Sequence, residues 1–379
     1  MRVLVTGSEG YIGARLVPIL IARGLAVVGL DTGFYRDGWL YSDNKGMPVS
    51  ASTIAKDLRH VDDGDLKGVD AVVHLAELSN DPLGQNNPAV THEINHRASV
   101  SLAEKARRQG VGRFVYTSSC SVYGAGTGDF LDETSATNPQ TAYAECKLLV
   151  ERDLSAMAEK GFAPVFLRNA TAFGPSPRMR FDIVINDLCA LAWTTKRIAM
   201  ISDGSPWRPV VHVDDICHAV YCSLVAPAGA VTGRVFNVGQ NSANYRVREL
   251  AEIVGREFPG CEVTMGPPSG DTRSYRVNFD RVHRELPGFE CRFTASDGAR
   301  QLRQIFERLQ MPTTPVPSSR LDVPVAVAVA GTNESPKTIS GNHAVRKPAS
   351  STRRPYCAAR LGGTASTKKS SPFTATRPA

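Results

Sequence analysis

The sequence predicts a doubly wound parallel α/β sheet followed by a smaller mixed lobe, and three observations predict it. Short apolar strands alternate with helices of 3.6-residue periodicity through residues 1–175. A glycine-spaced loop stands directly between the first strand and the first helix. The apolar runs, such as Val325–Ala330, fall well short of the roughly 18–20 residues that a membrane span needs. Apolar strands interleaved with helices are buried on both faces, which is the signature of a parallel sheet covered on both sides.

Arg2–Thr6 reads as an apolar strand. Ile12–Arg23 is a helix with apolar positions at 12, 16, 19 and 20. Ala26–Leu30, Ala71–Leu75, Gly112–Ser118 and Pro164–Arg168 are further strands, separated by helices over Val90–Gln109 and about 143–160. From residue 176 the elements are mixed. Val210–Val213 and Val235–Val238 read as short strands, with helices near 182–195, 246–258 and 295–309. Three segments result. Residues 1–175 form the sheet domain, with strand and helix returns from the C-terminal half, and 176–310 form a smaller lobe. Residues 311–379 are rich in Pro, Ser, Thr, Ala and Arg. Such a composition cannot bury enough apolar area to offset its ordering entropy, so a disordered basic tail is expected.

The chain has 379 residues and net charge +7, but the charge is unevenly placed. From Met311 onward ten Lys or Arg face only Asp322 and Glu334, so the tail carries +8 and the first 310 residues −1. A nearly neutral body is not the footprint of a nucleic-acid binder. Met1-Arg2 runs straight into a strand rather than a leader, so a cytoplasmic enzyme is expected. The eight cysteines form no C-x-x-C pair, and reduced thiols fit that compartment. His212, Cys217, His218 and Cys222 invite a zinc reading. Of the three on the expected helix, only His218 and Cys222 stand four apart, so no metal is expected.

Gly7-Ser8-Glu9-Gly10-Tyr11-Ile12-Gly13 follows a strand and opens a helix. Glycines there permit a tight turn and let backbone N–H groups approach a pyrophosphate, while the helix N-terminus favours negative charge. Asp31 ends the next strand, eighteen residues after Gly13. Its carboxylate suits the two ribose hydroxyls of NAD and repels a 2′-phosphate, and no Arg or Lys follows at 32–34. NAD is therefore expected over NADP. Tyr143-Ala144-Glu145-Cys146-Lys147 places a Tyr and a Lys on one helix face. An ammonium beside a phenol favours the phenolate, so Tyr143 suits a general base near neutral pH. Ser119 directly follows a strand and can bond the same substrate hydroxyl.

These residues, with His74-Leu75-Ala76, Thr117–Gly124 (TSSCSVYG) and Arg168–Pro175 (RNATAFGP), resemble the extended short-chain dehydrogenase/reductase family. The likeness is to its branch of NAD-dependent nucleotide-sugar epimerases and dehydratases, and it covers about residues 1–310. It implies a Rossmann-type fold over 1–175, a substrate-binding lobe over 176–310 and a homodimer packing helices near 90–109 and 143–160. Val100, Leu102, Leu148 and Leu149 are candidates for core or interface. It implies that Gly7, Gly10, Tyr11, Ile12, Gly13, Asp31, Asp57, Leu58, Leu75, Ala76, Tyr143 and Lys147 serve NAD. Asn95 braces the active-site backbone. Ser119, Tyr143 and Lys147 are the implied catalytic residues. Substrate contacts fall to Glu77, Ser119, Thr171, Arg178, Arg208 and Arg273, the last two resembling phosphate clamps. Thr171, Phe173 and Pro209 depart from the Asn, Tyr and acid usual in the family.

The family's 4,6-dehydratases place Asp-Glu after the residue matching Ser119, where this chain has Cys120-Ser121. Uronic-acid decarboxylases carry a Glu where Ser121 stands. The 3,5-epimerases carry a Cys at that same position, and Cys120 is one residue early, which turns an extended side chain the other way. What remains needs only hydride transfer and one proton relay. That is a 4-epimerase, with a sugar-nucleotide ketoreductase or dehydrogenase as the alternative. A catalytically idle NAD-binding regulatory or scaffold subunit is a third class, disfavoured by intact Ser119, Tyr143 and Lys147.

Overall fold

The computed structural model describes residues 1–41, 52–79, 81–124, 129–268 and 274–313. Most of the expected tail, from residue 314 on, lies outside the described residues. The central sheet has seven parallel strands: β1 (Arg2–Thr6), β2 (Ala26–Asp31), β3 (Ser52–Ala55), β4 (Ala71–His74), β5 (Arg113–Ser119), β6 (Ala163–Asn169) and β7 (Arg234–Val238). Their spatial order is β7-β6-β5-β4-β1-β2-β3. The chain first winds outward from β1 to β3, then reverses through β4 to β7. The switch falls between β1 and β4, where open α/β sheets bind their ligands beyond the carboxyl ends of the strands. The segments leaving β1, β4 and β5 there are the glycine loop, Leu75–Glu77 and Ser119.

Strand alternation divides the core in two. Val3 and Val5 of β1 pack with Leu16 and Leu20 of α1 (Gly13–Ala22) on one face. Leu4 between them packs with Leu102 and Ala106 of α2 (Ser99–Arg108) and with Val150 and Leu154 of α3 (Ala142–Ser155) on the other. All three β1 residues are fully buried, as the two-residue period of a doubly covered strand requires. A third apolar cluster holds the C-terminal helices Val184–Thr195, Val247–Glu257 and Ala295–Arg308 together through Leu188, Leu250, Leu302 and Phe306.

The structure departs from the sequence expectations in several elements. β3 has no counterpart among them, because this edge strand is mostly exposed and shows no apolar run. The single helix expected over Val90–Gln109 is three pieces: Pro88–Thr91, a π-helical turn over His92–Ala98, and α2. Ser99 Oγ donates to the Asn95 carbonyl at 2.8 Å within this disturbance. The strand expected at Val210–Val213 is Trp207–His212, and Val213 instead opens the helix Val213–Val225. His212 caps that helix, its Nδ1 accepting from the Asp214 amide at 3.1 Å, while its Nε2 meets Gln301 at 2.9 Å. Both ring nitrogens are thus committed to protein partners. Val235–Val238, read as a short strand, is such a return from the C-terminal half: it belongs to β7 at the edge of the main sheet.

Candidate active site

Backbone contacts shape the cofactor cradle. Gly7 has φ +69°, and a Cβ there would stand 2.8 Å from the Ala76 amide nitrogen. A Cβ on Gly13 would stand 2.1 Å from the Gly7 carbonyl oxygen. Both positions therefore need glycine to bring β1, β4 and α1 into backbone contact. A Cβ on Gly10 meets only the Gly7 oxygen, at 3.3 Å. The Gly10 amide donates to the Gly7 carbonyl at 3.1 Å and the Ala14 amide to the Gly10 carbonyl at 2.9 Å, so the loop winds directly into the N-terminus of α1, whose partial positive charge suits a pyrophosphate. The residues present fit a dinucleotide.

The remaining cofactor candidates divide between side chain and backbone. Asp31 accepts from the Glu9 amide at 3.0 Å and the Gly33 amide at 2.9 Å, at the edge of the loop. Tyr11 offers only its main chain. Its hydroxyl donates to the Gly174 carbonyl at 2.7 Å, and burial pushes its phenol well above the ordinary range. Ile12 packs its side chain into the core. Leu58 likewise packs its side chain into the core, which leaves its backbone for the adenine contact that the resemblance implies. Asp57 caps the turn Leu58–His60 and pairs with Arg59 at 2.8 Å, which holds its carboxyl below the usual range. The Leu75 and Ala76 amides lie 3.2 and 3.3 Å from Thr6 Oγ1 against the glycine loop. Asn95 exchanges two hydrogen bonds with the Leu78 backbone, at 2.8 and 2.9 Å, and so fixes the segment leaving β4.

α3 carries the chemistry. Thr141 caps it by accepting from the Ala144 amide at 3.2 Å, which sets Tyr143 in the first turn, half-buried. Lys147, one turn on, is buried and donates to the Thr117 carbonyl of β5. Its Nζ lies 5.3 Å from the Tyr143 ring centroid and 2.5 Å from Glu77 Oε2. Tyr116 donates to the other oxygen, Oε1, at 2.7 Å. Burial pushes the Glu77 carboxyl up. Burial alone would lower Lys147, but the Glu77 carboxylate, with smaller contributions from Tyr143 and Glu151, outweighs it and holds the ammonium above its ordinary value. Glu77 was expected to touch the sugar; its side chain is instead 2% exposed and committed to Lys147 and Tyr116.

One turn further along the same face, Glu151 takes Arg168 bidentately, at 3.0 and 2.7 Å, and accepts from Ser118 at 2.5 Å. Arg168 continues to the Tyr123 hydroxyl at 3.0 Å. Two buried ion pairs therefore pin α3, one to the segment leaving β4 and one to β6, and hydrogen bonds to Thr117 and Ser118 tie it to β5 beside the reactive face. The sequence reading missed Glu151, although its place four residues after Lys147 puts it on the same helix face, and nothing local marks Glu77 as a partner of Lys147. Arg180, held by Asp182 at 3.0 and 2.6 Å, brings a further cation into the electrostatic range of Tyr143.

Ser119 caps the turn Cys120–Tyr123, its Oγ accepting from the Ser121 amide at 3.1 Å. Cys120 points into the core and donates to the Arg168 carbonyl at 3.2 Å, and burial pushes its thiol far up. Cys120→Ala should therefore leave turnover unchanged while lowering the melting temperature modestly; paired activity and melting measurements check this. Thr171 lies half-buried on the strand Thr171–Phe173. Arg178 stacks on the Tyr35 ring at 4.3 Å and donates to the Met179 carbonyl. Arg208, half-buried, donates to the Trp207 carbonyl at 2.9 Å. Arg273 lies outside the described residues.

A family model described as the NAD dependent epimerase/dehydratase family matches residues 3–239, more than half of the chain. The chain belongs to this family. NAD is its cofactor. It is 32% identical to a UDP-glucose 4-epimerase of Mycolicibacterium smegmatis, over 81% of this chain and 98% of the relative. It resembles the solved structure of DesIV, a dTDP-glucose 4,6-dehydratase from Streptomyces venezuelae with NAD bound. There the TM-score is 0.69 at 26% identity, over 81% of this chain and 97% of that one. MoeE5 in complex with UDP-glucose and NAD is similar at TM-score 0.67 and 27% identity, over 81% and 99%. The family's epimerases and dehydratases share the Rossmann-like fold described above, and among the described residues no helix is long and apolar enough to cross a membrane.

Proposed function

We propose that this chain is a nucleotide-sugar 4-epimerase with Tyr143 as its proton relay. The observation that carries the reading is the absence of an acid–base pair after Ser119. Cys120 is buried under the Arg168 carbonyl and Ser121 is a hydroxyl, so neither can eliminate water as a carboxylic acid would. The nearby carboxylate of Glu77 is engaged by Lys147. A Ser–Tyr–Lys set is sufficient for chemistry that removes and returns one hydroxyl proton.

NAD, when bound, supplies the hydride acceptor and donor. Tyr143 takes the C4 hydroxyl proton as the carbon is oxidised, and Ser119 orients that hydroxyl. The 4-keto sugar then turns over in the pocket, so that the hydride would return to the opposite face of C4 while Tyr143 returns the proton to the oxygen. Lys147 holds the phenol's charge balance and the ribose side of the site. Arg208 and Arg273 serve the nucleotide phosphates, for which guanidinium geometry is suited, and Arg178 borders the substrate nucleotide. The reading includes a homodimer through α2 and α3, where Leu149 and Val100 stay partly exposed while Leu102 is core.

A panel of nucleotide sugars, beginning with UDP-glucose because one relative bears that name, with NMR of the products tests the reading. Inversion at C4 is expected. Run in D₂O, the product should carry no deuterium at the inverted carbon, because the hydrogen there never exchanges with solvent. Deuterium at that carbon would replace the hydride mechanism with carbon-acid deprotonation, and a 4-keto-6-deoxy product would make the chain a dehydratase.

A further inference from the structure

Glu9 sits in the middle of the glycine loop, and the segment after β2 folds back onto it. Arg36 Nε lies 3.1 Å from both carboxylate oxygens of Glu9, and its Nη2 also donates to Oε1. Trp39 Nε1 donates to the Glu9 carbonyl at 3.1 Å. The Glu9 amide in turn donates to Asp31, the carboxylate suited to the ribose hydroxyls. A Cβ on Gly33 would stand 3.8 Å from Glu9 Oε2 and 4.0 Å from Arg36 Nη2. Gly33 is itself bonded to Asp31 through its amide. The guanidinium and the second carboxylate therefore both neighbour the point where a 2′-hydroxyl and a 2′-phosphate differ. The three-residue turn Arg36–Gly38 brings the base there from outside the window 32–34.

We propose that Glu9 is a second determinant of cofactor choice: by holding Arg36 it occupies a cation placed to meet a 2′-phosphate, and it sets a second negative charge beside Asp31. The proposal rests on Asp31 reading the adenosine ribose. A 2′-phosphate brings about two negative charges at neutral pH against the hydroxyl's none. It would face Asp31 and Glu9 together, while Arg36 is already spent. Asp37 on the same turn adds no cation. Arg178, the other guanidinium at this segment, lies over the Tyr35 ring and against the Met179 carbonyl. The Glu9 side chain is 11% exposed and that of Arg36 is 58%, so removing the acid frees a mobile base rather than opening the core.

Calorimetric titration of NAD and NADP into cofactor-stripped full-length protein tests this without turnover. Glu9→Ala is expected to raise NADP affinity relative to NAD roughly tenfold or more, the scale of one charge-assisted hydrogen bond regained. Glu9→Gln, which keeps a neutral bond to Arg36, should give a smaller gain. Arg36→Ala alone should keep NADP rejected, and Glu9→Ala with Arg36→Ala should lose most of the gain. An unchanged NADP-to-NAD ratio in both Glu9 variants overturns the proposal, as does a gain that survives in the double variant. Asp31→Asn separates the two ideas. Loss of NAD affinity there with no effect at Glu9 removes only the Glu9 proposal, and no loss removes the ribose reading on which it rests.

Discussion

Tyr143→Phe is expected to lower turnover by about 10²–10⁴-fold, the usual contribution of a positioned acid–base group. The ring stays to pack in the first turn of α3, so only the hydroxyl leaves. NAD binding should persist, because the glycine loop and Asp31 lie on β1, β2 and α1 rather than α3. Initial rates on the nucleotide sugar found by the product panel, beside calorimetric NAD binding, check both halves. Ser119→Ala should cost less, since the hydroxyl orients the substrate and does not carry the proton. Turnover within a few-fold of the parent for Tyr143→Phe would leave no relay role for this residue.

Glu77→Ala is expected to destabilise the fold by about 3–5 kcal/mol at pH 7, the scale of breaking a buried ion pair by removing one partner. Both side chains are at most 5% exposed, so solvent does little to compensate Lys147 once its carboxylate is gone. The pH dependence follows. In the parent the Glu77 carboxylate holds Lys147 above its ordinary value. Without it, burial is opposed only by the smaller effects of Tyr143 and Glu151, and the folded-state value is expected to fall beneath the unfolded one. The folded variant then binds fewer protons than the unfolded chain in that interval, so its stability rises with pH. The deficit should be largest near neutral and shrink as pH approaches about 10, where a free lysine itself titrates. Urea unfolding at both pH values measures this. Glu77→Leu with Lys147→Met removes both charges and should regain most of the stability while remaining inactive. A single variant as stable as the parent would mean the pair is solvated.

Much of this site was legible in the chain. The glycine loop, Asp31, Tyr143 and Lys147 are short-range patterns, each set by the geometry of one turn or one helix face. Their spacing therefore survives reading one residue after another. The same is true of the sheet, since a strand buried on both faces leaves a continuous apolar run. β3 escaped because an edge strand buries little, and the π-helical turn escaped because Val90–Gln109 keeps its apolar periodicity through it.

The sequence by itself determined the doubly wound sheet, the dinucleotide loop, the reactive Tyr–Lys pair and the family to which they belong. All are encoded in local periodicity and in residues a few positions apart. Only the tertiary structure decided which charges meet. Glu77 lies seventy residues before Lys147, Arg168 lies seventeen after Glu151, and Arg36 lies twenty-seven after Glu9. Each pair joins different strands, helices or loops that the switch point and its crossovers bring together. Burial is likewise a property of the packed fold, and it claimed the side chains of Tyr11, Leu58 and Cys120 for the interior. A carboxylate's function depends on the cation that faces it, and in this protein that cation is supplied across the fold.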